Sequence, residues 1–112
     1  MIELTVYNFL KTNLSTPVFM EIPKDYPSQF VVIEKTSGAQ VNHINSSTIA
    51  IKSYSDSLYK AAVLNDEVVE TMLNGLINES DISSVKLNSS YNFTDTSTKQ
   101  YRYQAVFDIV HY

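Results

Sequence analysis

The 112-residue chain has no cysteine and no tryptophan, only two glycines (Gly38 and Gly75), three prolines and a single arginine, Arg102. Without cysteine there can be no disulfide, thiolate metal site, redox couple or cysteine nucleophile. Two isolated glycines cannot build a Gly-x-Gly-x-x-Gly turn or a phosphate-cradling loop, which removes nucleotide-binding enzymes of the usual kinds. Positive charge is scarce as well. Eight Lys and Arg stand against twelve Asp and Glu, a net charge of −4, and affinity for nucleic acid rests on neutralising phosphates. No run approaches the ~18 apolar residues of a membrane span. Met1-Ile2-Glu3-Leu4 lacks the basic-then-apolar pattern of a signal peptide, so a protein that is cytosolic where it is made is expected.

What is present is neutral polarity and β-forming bulk. Ser, Thr and Asn make up 32 residues, and Ile, Val, Thr, Tyr and Phe together 42, the latter being the types that suit a pleated, half-buried surface. With 44% hydrophobic and 18% charged residues, a folded globular domain is favoured over disorder. The length suits one domain.

Along the chain, Ile2, Val6, Phe9 and Leu10 fall on one face of a helix over residues 2–13. Val18–Ile22, closed by Pro23 and Pro27, reads as an edge strand. Residues 29–35 follow as a strand whose consecutive Phe30, Val31, Val32 and Ile33 require cover on both faces and a central place in the sheet. A loop is expected over 36–46, then a strand over 48–54. Ser55 suits an N-cap with Asp56 in the first turn. Leu58, Ala61, Ala62, Val68, Val69, Met72, Leu73 and Leu76 then mark the clearest helix, with Gly75 or Asn78 as its stop. From Ser84 the period becomes two. Val85, Leu87, Tyr91 and Phe93 share one parity, and beyond a polar connection at 94–99 Tyr101, Tyr103, Ala105, Phe107 and Ile109 share another, which reads as a long antiparallel hairpin. The expected fold is a single α+β domain over 1–112, with about five mostly antiparallel strands and two helices on one sheet face, in the order α-β-β-β-α-β-β.

Catalytic signals are thin. His43 and His111 are the only imidazoles, and no nucleophile elbow accompanies the many serines. Asp66, Glu67 and Glu70, and the pair Glu79 and Asp81, lack a histidine partner and read as solvated faces rather than metal ligands. Tyr101, Arg102 and Tyr103 are where base stacking would be sought, but cross-strand aromatic packing accounts for them better in an acidic chain. The expectation is a protein that is not an enzyme, takes no cofactor or metal, and works by association. The 36–46 loop (Thr36, Ser37, Gly38, Gln40, Asn42, His43) and the 94–99 connection (Thr94, Asp95, Thr96, Lys99) are the expected contact sites, because binding residues concentrate on loops held by a rigid sheet.

Three stretches carry a resemblance: Val31–Gly38; Ser47–Ser55 with Leu58–Ala62; and Lys86–Thr96 with Tyr101–Ile109. They resemble small tail-component proteins of phages and prophages of Gram-positive bacteria, of the tail completion, or tail terminator, group. The resemblance spans nearly the whole chain. It implies an α+β virion structural subunit, assembled in the bacterial cytoplasm, that forms a hexameric ring at the head-proximal end of the tail. Its implied partners are further copies of itself, the tail tube protein and a head–tail connector. DNA would pass through such a ring without sequence-specific binding, and no membrane is involved. Another connector or minor tail subunit of the same particle is the alternative; an unrelated small enzyme is a remote one.

Overall fold

The computed structural model describes Met1–Tyr112. Its elements run α1 (Ile2–Asn13), β1 (Val18–Phe19), β2 (Phe30–Val41), β3 (Ile44–Ser55), α2 (Leu58–Gly75), a 3-10 turn (Leu76–Asn78), β4 (Ile82–Asn92) and β5 (Tyr101–His111). This is the expected α+β order, in one domain. The sheet order is β1-β2-β3-β5-β4. Every pairing is antiparallel except β1 with β2, where only Val18 and Phe19 align with Val31 and Val32.

Both helices lie on one face. Ile2, Val6, Phe9 and Leu10 of α1 are buried, as their spacing requires, and with Leu64, Val68 and Met72 of α2 they enclose Val31, Ile33, Ile49, Ile51, Ala105, Phe107 and Ile109 of the sheet. Burying each large side chain of this core contributes roughly 1.5–3 kcal/mol. Gly75 is what lets the helices meet. A Cβ there would stand 2.7 Å from Cζ of Phe9, so the missing side chain admits the ring. A second, small cluster of Phe30, Val32 and Tyr54, with Phe19 against it, covers part of the opposite face. The Phe30 and Tyr54 rings stack at 4.5 Å. Phe30–Ile33 are thus covered on both sides, as expected of an unbroken apolar run.

Four local expectations change. The edge strand shrinks to two residues, because Met20–Gln29 leaves the sheet. Ser57 rather than Ser55 caps α2, its Oγ accepting from the Lys60 N–H at 3.2 Å; Ser55 ends β3, and Asp56 lies outside the first turn. Leu58 and Leu73 are not on the core side of α2 but exposed, while Leu64 and Asn65 are buried. In β4 the shared parity of Val85, Leu87, Tyr91 and Phe93 breaks, because the register shifts between Leu87 and Ser89. One extra residue exchanges the faces of a strand. Val85 and Leu87 pair with Ile109 and Phe107 on the helix side, whereas Tyr91 pairs with Gln104 on the other.

The largest correction concerns 36–46. These residues are not a loop. Thr36–Val41 and Ile44–Ser46 continue β2 and β3 as a paired arm, closed by the two-residue turn Asn42-His43 with φ of 51° and 67°. Positive φ at both central residues is the type I′ geometry whose twist matches a hairpin. The arm helps draw the molecule out to 44 × 25 × 25 Å.

Candidate functional site: two sheet ends and an open face

The ten expected contact residues fall into two groups that the fold keeps apart. Thr36, Ser37, Gly38, Gln40, Asn42 and His43 lie on the arm. Thr94, Asp95, Thr96 and Lys99 lie in the β4–β5 connection. Strand β5 separates the two groups: Tyr101 at its start pairs with Ser55, and His111 at its end pairs with Asn45 near the arm. Eleven residues of strand span roughly 33–37 Å, so no single small ligand touches both groups.

The β4–β5 connection is tied down by its own side chains. Asp95 Oδ1 accepts from the Ser97 hydroxyl at 2.7 Å and from the Ser97 N–H at 3.0 Å. These bonds, the hydroxyl first, hold the Asp95 carboxyl below the usual aspartate range. Thr94 Oγ1 accepts from the Arg102 N–H at 3.2 Å, and Asp95 and Gln100 form a bridge. Lys99 takes a left-handed conformation with φ of 53°. In the arm, Thr36 Oγ1 donates to the Thr48 carbonyl at 3.3 Å. Its tip presents Val41 and Ile44 to solvent.

The two histidines differ sharply. His43 sits in the exposed turn, whereas His111 is buried with Nε2 2.8 Å from Ser47 Oγ and Nδ1 3.4 Å from the Tyr112 carbonyl. The sequence holds no motif that pairs Ser47 with His111; the β3–β5 register does so. No carboxylate hydrogen-bonds to the imidazole. Chemically the pair satisfies two buried polar groups against each other. Asp66, Glu67 and Glu70 are exposed on α2, and no three metal-ligating side chains converge anywhere in the chain. An open hollow of about 640 Å³ lies beside β1 between Tyr7, Phe19, Met20 and Ile22.

The sheet face away from the helices is the most organised polar surface. Asp108 accepts from Thr48 and Asn88, each at 3.0 Å; Gln104 donates to the Tyr91 hydroxyl at 2.6 Å; Lys52 pairs with Glu34 at 2.9 Å. Arg102 donates through Nε to the Phe93 carbonyl at 2.7 Å, and its guanidinium lies 4.7 Å from the Phe93 ring and 5.8 Å from that of Tyr54. Tyr91 and Phe93 meet edge to face at 5.9 Å and remain about two-fifths exposed. Of the Tyr101, Arg102 and Tyr103 triplet, Arg102 alone lies on this face, because neighbours in a strand alternate.

The opposite surface of the molecule is the outer side of α2. Tyr59, Val63, Asp66, Glu70, Leu73 and Ile77 recur at spacings of four, three, four, three and four and are all exposed. The sequence carries this stripe in the same three-four periodicity as the core stripe, which is why its member Leu73 reads there as a core residue. Residues 56–81 hold six carboxylates and one lysine, net −5, so the rest of the chain is +1.

No model of a known protein family matches the chain, and no curated protein is significantly similar to it.

Proposed function

We propose that this chain is a virion structural protein of a long-tailed phage or prophage, a ring subunit that caps the tail tube and joins the tail to the head. The observation that supports it best is the segregation of charge and exposed apolar groups onto two uncovered faces of one small domain. Such a molecule is suited to heterologous contact, in which one patch meets a different patch on the next copy and repetition closes a ring. The resemblance to tail terminators, with its implied hexamer, adds the particle, and it implies an α+β subunit such as this one. The tail tube protein on one side and a head–tail connector on the other are the proposed partners.

Acidity has a use in that setting. A ring around DNA should not hold it, and a net charge of −4 avoids the counterion-release affinity of a basic lining. The test is electron microscopy of particles assembled without this protein. Unattached heads beside tails of irregular length are expected. Normal, head-joined tails would overturn the reading.

A further inference from the structure

We infer that the outer stripe of α2 in one copy seats on the open sheet face of the next, around Tyr91, Phe93 and Arg102. The inference rests on the ring reading and names the contact that would build it. Two ion pairs form within the chain, Lys52 with Glu34 and Lys60 with Asp56. Asp66, Glu67 and Glu70 on α2 therefore have no cation of their own, and Lys86 and Arg102 on the open face have no carboxylate in ion-pair contact. Asp108, bonded to Thr48 and Asn88, offsets part of the positive charge on the open face, but Lys86 and Arg102 leave that face net positive against the acidic α2 layer.

Apolar groups accompany both sets. Val63, Leu73 and Ile77 flank the carboxylates, and Tyr91 and Phe93 flank the arginine, each between 39% and 48% exposed. Arg102 is stacked on Phe93, held through Nε by the Phe93 carbonyl and through one terminal nitrogen by Gln100 Oε1 at 3.3 Å, so its remaining N–H groups are positioned in advance for a carboxylate. The lengths agree. An 18-residue helix spans about 27 Å, within the run of the 11-residue strands β4 and β5.

Pairing of free sheet edges is the competing way to join copies, and the edges oppose it. Strand β4 carries two register shifts and β2 one, and bulges of this kind blunt an edge against strand addition. Helix on sheet face buries apolar area without needing a straight edge. It also places Lys52, Lys86 and Arg102 between subunits and away from a DNA path.

The absence of cysteine makes the test clean. Val63→Cys and Ser89→Cys put one thiol on each surface, and a short bis-maleimide is applied to purified protein and to assembled particles. The double variant should give covalent multimers beyond the dimer, whereas each single variant stops at the dimer. Reversing Asp66→Lys and Glu70→Lys should weaken self-association about tenfold, and adding Lys86→Glu should recover part of it; circular dichroism confirms that each variant folds. Oligomers seen by light scattering without covalent multimers would overturn this contact and leave the ring standing. A monomer at every concentration, with normal tails when the protein is absent, would overturn both.

Discussion

Within β2 the first four residues, Phe30–Ile33, are all buried, and the next eight, Glu34–Val41, are all exposed. One strand thus has two supports. The first half is held by side chains: Val31 and Ile33 enter the main core, and Phe30 and Val32 the small aromatic cluster. The second half has no core at all. It is held by backbone pairing to β3, which is itself gripped on its other side by β5 as far as Asn45 and His111. Burial stabilises a strand and marks it in sequence; pairing alone stabilises it without leaving an apolar mark.

The contrast can be broken most directly in the core. Phe107, fully buried beneath the helices, should lose about 3–5 kcal/mol as Phe107→Ala, while Gln40→Ala on the arm should stay within about 0.5 kcal/mol. Urea midpoints measure both, and equal shifts would break the distinction. Gly75→Ala is expected to cost about 1–3 kcal/mol by overpacking against the Phe9 ring. Combining it with Phe9→Leu should recover part of the loss, and no recovery would show that Phe9 is not the obstacle. On the arm, His43→Gly relieves a left-handed residue and should stabilise by about 1 kcal/mol, sharpening the hairpin amide signals in NMR. Smallest is Asp95. Its carboxyl is held low by Ser97, so its stabilising effect is present above the unfolded pKa and fades as pH falls through the folded one. Its carboxyl resonance should titrate below the ordinary aspartate range; a midpoint at or above that range would sink the Ser97 assignment.

Where burial and period coincide, the sequence was legible. The α1 face, the two-sided run at 30–33, the β5 alternation and most of the α2 core stripe follow from the spacing of apolar residues, though Leu58 and Leu73 of that stripe face solvent. The arm was not. Thr36–Gln40 and Asn45–Ser47 are hydroxyl- and amide-rich, the composition of a loop, and only their register with each other and with β5 makes them strand. The β4 bulge escaped for a related reason: Leu87 and Tyr91 keep an even spacing in sequence, yet one unpaired residue between them reverses the face. Ser57 was missed as a cap because Ser55 and Ser57 carry the same side chain, and the end of β3 decides between them. Of the ten expected contact residues eight are exposed and Thr94 and Asp95 half-buried, and the chain order gave no sign that the two groups occupy opposite ends of the sheet.

By itself, then, the sequence determined the fold class, the element order and the absence of thiol and phosphate-loop chemistry, because these depend on residue types and local periods. Tertiary structure alone decided which charges lack partners, which aromatics face outward and which serine meets His111. Those are properties of cross-strand register and helix placement, set by contacts between residues as far apart in sequence as Ser47 and His111.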